Sequence, residues 1–172
     1  MLTVLLPLAL WSLVGKATAD PKTEARAEIE AIYDRQNAGV KRKNIAGVVY
    51  GCAPDFVEAH QEPQMKGQMF TLTQLRPMIA QLFAQAHSAR RTTTIQTFAF
   101  TPTQVTITAK QHLVLALVNP RTARTGQLIQ DGVSRDIWVR QNGAWVEQRS
   151  TILSGQTRVS AQKPPQPAPR QN

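Results

Sequence analysis

The sequence predicts an α+β fold, with three N-terminal helices packed on a curved antiparallel sheet of about four long strands. Three observations support this prediction. The 172 residues suffice for one compact domain and are too few for two ordinary ones. Apolar residues recur at helical spacing in the first half of the chain, and from Thr92 onwards they alternate with a period of two. The helices precede the long strands, which is the order of an α+β fold rather than an α/β fold.

The N-terminal segment has the features of a secretory signal. Residues 2–14 form an uncharged apolar run that is short for a membrane span. Ala17-Thr18-Ala19 follows and fits the small-x-small pattern of a cleavage site. We therefore expect residues 1–19 to be a signal peptide cleaved after Ala19, and the protein to be secreted or periplasmic with no stable membrane span after cleavage. An uncleaved apolar anchor is the alternative that the run leaves open.

The C-terminal segment, residues 156–172, is predicted to be a disordered, proline-rich basic tail, which leaves the domain over residues 20–155. The segment holds four of the 11 prolines, three basic residues and no acidic residue. It therefore buries too little apolar surface to offset the entropy of ordering. The net charge of the chain is +9, but loss of Lys16 and of the tail's basic residues leaves +5 for the domain. A surplus of that size does not indicate a nucleic-acid partner.

Cysteine and histidine usage gives no indication of a metal site or a cofactor. Cys52 is the single cysteine, which excludes an intrachain disulfide and a multi-cysteine zinc site. The three histidines have no close spacing, and the sequence has no glycine-rich phosphate loop or nucleophile motif. We therefore expect neither a metal nor a cofactor.

The first predicted helix covers residues 22–43 and is amphipathic. It begins beside Pro21, a residue favoured in the first turn, and its basic end complements the helix dipole. Its apolar face consists of Ala25, Ile29, Ile32, Tyr33, Gln36 and Val40. A second, short helix is predicted over residues 45–50, with Asn44 as its N-cap.

Two short strands, at residues 55–60 and 69–70, precede the third predicted helix. That helix begins at Thr71 or Thr73 and runs to about Ala89, because apolar residues recur along it every three or four positions. Its apolar stripe consists of Leu75, Ile79, Leu82, Phe83 and Ala86.

Four long strands are predicted to follow. They cover Thr92–Thr101, Val105–Val118, Leu128–Gln141 and Ala144–Leu153, each rich in β-branched or alternating apolar residues. Asn142-Gly143 joins the last two as a two-residue type I′ hairpin.

A two-residue turn fixes the register of that hairpin. The expected pairs are Gln141 with Ala144, Arg140 with Trp145, Val139 with Val146, Trp138 with Glu147, Ile137 with Gln148 and Asp136 with Arg149. We expect the aliphatic face to lie toward the helices. The opposite face would then expose Trp138 and Trp145, with an Arg140–Trp145 cation–π contact, as a protein interface and plausibly that of a homodimer. Cover by the tail or a loop is the alternative.

The order and spacing of four stretches resemble a known superfamily. They are Ile29-Glu30-Ala31-Ile32-Tyr33; Lys43-Asn44-Ile45; Ala53-Pro54-Asp55-Phe56-Val57 followed by Gly67; and Arg135-Asp136-Ile137-Trp138-Val139-Arg140 with Asn142-Gly143-Ala144-Trp145. Over residues 22–154 the chain resembles the nuclear-transport-factor-2-like superfamily, and within it the SnoaL-like and ketosteroid-isomerase-like proteins. The resemblance implies a curved sheet wrapped around helices as an open cone, often dimeric through the sheet. It also implies an apolar pocket at the cone's mouth.

The resemblance directs attention to a few polar residues. In isomerase-like members a carboxylate moves a proton, and hydroxyl or acid groups stabilise the enolate. His60 is a candidate base at the end of a short strand, and Asp136 is a second candidate base. Tyr33 is a candidate donor on the inner face of the first helix. The structural alternatives are an exposed histidine, a core tyrosine and an Asp136–Arg149 ion pair.

Three functions remain open on this basis. The first is non-catalytic binding of a small apolar molecule or an envelope protein, with Tyr33 and His60 lining the pocket. The second is an isomerase, cyclase or dehydratase of the SnoaL type. The third is a homodimeric assembly module that uses Trp138, Trp145 and Arg140. The sequence shows no clear acid–base pair, which favours the first function over the second.

Overall fold

The structure, a computed structural model, describes residues 20–118 and 125–161. The predicted signal over residues 1–19 lies outside the described residues, as do the prolines of the predicted tail. Within the described ranges no helix is long and apolar enough to cross a membrane.

Three helices form as the sequence predicts, with shifted ends. They are α1 (Pro21–Lys41), α2 (Ile45–Val48) and α3 (Leu72–Gln85). Asn44 caps α2, since its side chain accepts a hydrogen bond from the backbone N of Ala46. Thr71 and Gln74 form a capping box at the start of α3.

Six strands form a single mixed sheet, which is two more than the four long strands expected. They are β1 (Cys52–His60), β2 (Met69–Thr71), β3 (Ala86–Phe100), β4 (Gln104–Val118), β5 (Thr125–Gln141) and β6 (Ala144–Ala161), in the spatial order β2-β1-β6-β5-β4-β3. The two predicted short segments join the sheet as β1 and β2. Strand β1 runs parallel to β6, so the purely antiparallel sheet of the prediction is wrong. The α+β class, with helices packed on a sheet, is confirmed.

The third helix ends earlier than predicted, and a strand takes over. Ala86 starts β3, and Ser88–Arg91 already pair with β4. The apolar spacing of Phe83, Ala86 and Ala89 suits a helix as well as this irregular strand start, so periodicity alone extended the helix too far. In the structure, the backbone hydrogen-bonding groups of this segment pair with the neighbouring strand β4 instead of with a helix turn.

Strand β6 continues past residue 155, the predicted end of the domain. Residues 156–161 pair with 126–131 of β5, although residues 156–160 are exposed. Backbone hydrogen bonds order this segment where apolar burial does not. Arg158, a basic residue of the predicted tail, also donates to Asp131 Oδ2 at 2.6 Å. The segment therefore extends the sheet, contrary to the tail prediction for these six residues.

The predicted hairpin is confirmed, and its register holds for the first pairs. Asn142 and Gly143 have φ values of 52° and 84°, as a type I′ turn requires. Pairing follows the prediction as far as Trp138 with Glu147. A bulge then shifts the register, so that Asp136 lies opposite Ser150 rather than the predicted Arg149.

The two faces of this hairpin are oriented opposite to the prediction. Trp138 and Trp145 are 0% and 3% exposed and belong to the core beneath α1. The rings of Tyr33 and Trp138 meet edge to face with centroids 5.4 Å apart. An interface built on the two tryptophans is therefore wrong. Arg140 is exposed, and its guanidinium lies 5.8 Å from the Trp145 ring centroid, in the predicted cation–π arrangement.

The reason for the inversion is that the inner face of the sheet carries a polar cavity as well as a core. Acidic side chains ordinarily face solvent, but Asp136 and Glu147 lie on that inner face and are 0% and 6% exposed. The aliphatic residues Ile137, Val139 and Val146 lie on the outer face and are half-buried.

Candidate functional site

A cavity of about 470 Å³ lies between the inner face of the sheet and the helices. Its outer walls are apolar and come mainly from α3 and β2, through Phe70, Leu72, Leu75, Ile79 and Leu82. Its floor carries polar side chains from α1 and the sheet, namely Tyr33, Gln36, Glu58, His60, Arg91, Ser134, Glu147 and Ser150. The sheet's curvature places these groups on one concave surface.

Asp136 lies behind the floor and is not among the residues that line the cavity. Its carboxylate accepts three hydrogen bonds, from Tyr33 at 2.6 Å, Ser150 at 2.7 Å and Ser134 at 3.1 Å. Complete burial raises the pKa of Asp136, and the three donors oppose that rise. The residue therefore positions the hydroxyls of the floor and does not itself reach a bound molecule. Its role as the predicted base is not supported by this position.

Tyr33 lines the cavity, as the sequence predicts, but its hydroxyl proton is committed to Asp136. Burial and the neighbouring Asp136 carboxylate raise the pKa of Tyr33, so the phenol stays protonated. The phenolic oxygen keeps its capacity to accept a hydrogen bond.

Glu147 is the most buried carboxylate that lines the cavity. Its Oε2 lies 3.4 Å from Gln36 Nε2 and 3.9 Å from Cys52 Sγ, both weak contacts. Its Oε1 has no hydrogen-bond partner among the described residues. This oxygen is not fully sealed from solvent. Burial and the Asp136 carboxylate raise the pKa of Glu147 well above its usual value. Glu147 therefore presents an open carboxyl oxygen on a group that holds a proton more strongly than an exposed glutamate does.

Arg91 supplies a positive charge to the same floor. Its Nε donates to Asn37 Oδ1 at 2.9 Å and one terminal nitrogen donates to Gln36 Oε1 at 3.2 Å. Both acceptors are neutral amides on α1, so the guanidinium charge is balanced at longer range by Glu147 and Asp136. Burial lowers the pKa of Arg91, although an arginine remains charged.

His60 lies in the cavity wall at the end of β1, between two carboxylates. Its Nδ1 lies 2.6 Å from Glu62 Oε1 and its Nε2 lies 3.0 Å from Glu58 Oε1. The hydrogen bond to Glu58 and then that to Glu62 raise the pKa of His60 to about 9, against the effect of burial. The imidazole is therefore protonated at neutral pH, with both nitrogens engaged. His60 is a fixed cation and not the general base that the sequence suggested.

The sequence analysis missed Glu58, Arg91 and Glu147. Glu147 was already placed opposite Trp138 by the hairpin register, so the missing information was which face is buried. Arg91 follows the predicted end of the third helix at about Ala89, where a basic side chain is ordinarily explained by the helix dipole. Cys52 lines the cavity too, but burial raises the pKa of its thiol, which keeps it protonated. Within residues 20–118 and 125–161, no three His, Cys, Asp or Glu side chains are arranged to hold a metal ion.

No protein-family model and no curated protein matches the sequence. Solved structures match it over most of its length. The dehydrochlorinase LinA-type3 of Novosphingobium barchaimii, which acts on hexachlorocyclohexane, is 14% identical, with a TM-score of 0.59 over 86% of this chain and 97% of that chain. A putative scytalone dehydratase from Novosphingobium aromaticivorans is 12% identical, with a TM-score of 0.62 over 78% and 87%.

A third similar structure has no assigned activity. It is a domain of unknown function with a cystatin-like fold from Nostoc punctiforme, which is 10% identical, with a TM-score of 0.58 over 76% of each chain. At these identities the likeness shows the fold alone. The chain has the nuclear-transport-factor-2-like fold that the resemblance implied. This fold is shared by proteins that differ in function, so the activity has to be argued from the cavity.

Proposed function

We propose that the chain binds a small, largely apolar organic molecule in the cavity, with the polar end of that molecule against the floor. The observation that carries this proposal is the division of the cavity, with apolar walls from α3 and β2 and convergent polar groups beneath them. Ligand sites of proteins have this composition, and 470 Å³ lies within their usual size range. The bound molecule gains apolar burial from the walls and its orientation from the floor.

We also propose that binding takes place after export, outside the cytoplasm. This part rests on the apolar run and the Ala17-Thr18-Ala19 pattern. N-terminal sequencing of the exported protein is expected to begin at Asp20. A chain that still begins at Met1 contradicts cleavage and leaves the apolar run as an anchor.

Binding can be tested with N-phenyl-1-naphthylamine, a neutral dye that fluoresces in apolar sites. Gly155 lines the cavity, and a Cβ atom added there meets no atom within 4 Å. The side chain of Gly155→Leu therefore begins in open space, and we expect it to occupy part of the cavity. We expect it to weaken dye binding about tenfold. Ser154→Leu on the same strand is the control, because Ser154 is exposed and does not line the cavity. Absence of dye binding, or equal effects of both variants, contradicts the proposal.

A second candidate function is proton abstraction from the bound molecule, in an isomerase, cyclase or dehydratase. The observation that favours it is the open Oε1 of Glu147 in a buried, apolar setting, which makes a carboxylate a stronger base. The similar structures include a dehydrochlorinase and a putative dehydratase, whose names describe elimination reactions. In this candidate Glu147 accepts the proton, and the Arg91 guanidinium, which also lines the cavity, faces the developing negative charge.

A generic carbon acid tests this second candidate without knowledge of the substrate. In 5-nitrobenzisoxazole, removal of the ring C–H proton by a base forms a nitrile, breaks the N–O bond and releases a coloured phenolate. We expect Glu147→Gln to lower any such rate by about a hundredfold. Glu28→Gln, on the exposed face of α1, is the matched control. Equal rates for wild type and Glu147→Gln contradict proton abstraction by Glu147.

A further inference from the structure

The charged side chains around the cavity have an excess of acidic groups, whereas the whole chain has an excess of basic groups. Arg91 faces the carboxylates of Glu147 and Asp136, and His60 lies between those of Glu58 and Glu62. Each cation thus meets two carboxyl groups, so each cluster has one carboxyl group more than its cations balance. This local excess of acid occurs in a chain whose net charge is +9.

Two of these carboxylates present oxygens without a partner to the same cavity. Glu147 Oε1 is the first of them. Glu58 binds His60 through Oε1, and no described side chain donates to its Oε2. Glu58 lies on β1 and Glu147 on the neighbouring strand β6, and both line the cavity. Their proximity is reflected in Glu58 contributing to the raised pKa of Glu147.

The open oxygens of Glu58 and Glu147 have no protein donor among the described residues, so water or a bound molecule has to supply their hydrogen bonds. Donors can satisfy these oxygens, and a cation satisfies them best because its hydrogen bonds are charge-assisted. An ammonium group is compact and has three donors. A carboxylate on the bound molecule would instead be repelled by the like charges of Glu58 and Glu147. His60 cannot fill this role, because both its ring nitrogens already have partners. Arg91 donates to acceptors on α1 through two of its three guanidinium nitrogens, and it makes no hydrogen bond to Glu58 or Glu147.

We propose that the molecule bound in the cavity carries a protonated amine, which sits between Glu58 and Glu147 with its apolar body against α3 and β2. This inference rests on the proposed binding function. It assigns the polar end of the ligand as cationic, whereas the proton-abstraction candidate places a C–H group at Glu147. Arg91 remains paired with Gln36 and Asn37 and is not displaced.

Three ligands with the same eight-carbon chain test the inference by displacing N-phenyl-1-naphthylamine at neutral pH. We expect octylamine to displace the dye at a concentration about tenfold lower than octanol, and octanoate to be the weakest of the three. Glu147→Gln and Glu58→Gln should each remove the preference for octylamine over octanol. Glu28→Gln removes the same charge far from the cavity and should leave the preference intact.

The outcomes separate this inference from the function on which it rests. A dye that binds and is displaced equally by octanol and octylamine, or better by octanoate, overturns the cationic ligand and leaves the binding function in place. A dye that does not bind overturns both. Because Glu147→Gln alters a buried residue, circular dichroism of that variant is compared with wild type. The half-exposed Glu58→Gln gives an independent result if Glu147→Gln is unfolded.

Discussion

Tyr33 on α1 donates its hydroxyl proton to Oδ2 of Asp136 on β5 across 2.6 Å, and both residues are buried. This hydrogen bond joins the first helix to the sheet over 103 positions of sequence. Ser134 and Ser150 complete the donors around Asp136. The arrangement indicates that Tyr33, a candidate donor, and Asp136, a candidate base, form a structural connection beneath the cavity floor.

Loss of the Tyr33 hydroxyl is therefore expected to lower stability. Tyr33→Phe keeps the ring that packs on Trp138 and removes one of the three donors to a buried carboxylate. A hydrogen bond to a charged group contributes about 1.5–3 kcal/mol, so we expect the free energy of unfolding to fall by that amount in urea titrations. Tyr50→Phe is the control, because Tyr50 is exposed. An equally small effect of both substitutions contradicts the structural role.

Replacement of Trp138 is expected to damage the core. Trp138 is fully buried and packs with Tyr33, Val105 and Ile107. Trp138→Ala should lower the free energy of unfolding by about 3–5 kcal/mol, whereas an interface residue would leave the isolated chain stable. Chemical denaturation followed by circular dichroism measures the effect. A variant as stable as wild type would contradict the buried position of Trp138 and support the surface position predicted from the sequence.

His60 is expected to make stability depend on pH in a defined window. The carboxylates of Glu58 and Glu62 raise its pKa from 6.5 to about 9 in the folded protein. As the pH rises, the folded state therefore keeps the proton on His60 to a higher pH than the unfolded chain does. This contribution is complete below about pH 6.5 and disappears as the pH rises to about 9. After allowance for solvent screening, we expect about 1–2 kcal/mol.

The measurement is the melting temperature between pH 6 and 10, compared for wild type and His60→Gln. Wild type should lose stability across the window, and the variant should show a flatter profile. His87→Gln replaces an exposed histidine and is the control. Parallel profiles for wild type and His60→Gln contradict an ion pair at His60.

Local signals in the sequence predicted most of the elements. The caps at Asn44 and Thr71 and the turn at Asn142-Gly143 act over a few residues, so they are legible without tertiary information. The end of α3 could not be predicted in this way, because pairing with β4 overrides the helical spacing at Ala86 and Ala89. The parallel contact between β1 and β6 is non-local and leaves no mark in either segment.

The orientation of the hairpin shows why the site was only partly predictable. A period of two separates Trp138 and Glu147 from Val139 and Val146, but it does not say which set is buried. The usual rule places charged residues outside, and it fails here because the inner face forms a polar cavity floor. Tyr33 and His60 both line the cavity. The role of Tyr33 depends on Asp136, which the fold brings to it over 103 positions of sequence. The role of His60 depends on the orientation of Glu58 and Glu62, which lie two residues before and after it.

A homodimer stays a prediction of the sequence. Because the tryptophan-bearing face is buried, the opposite face of the hairpin is the one expected to form the interface. Ile137, Val139 and Val146 make an aliphatic outer face on β5 and β6, and all three are half-buried. Buried apolar area between two such faces would stabilise a dimer, and a lysine within the contact would lose its hydration without a partner. We expect Val139→Lys to convert a dimer to a monomer in sedimentation velocity at micromolar concentration. Thr23→Lys, on exposed α1, is the control. A wild-type monomer, or a Val139→Lys dimer, contradicts an interface on this face.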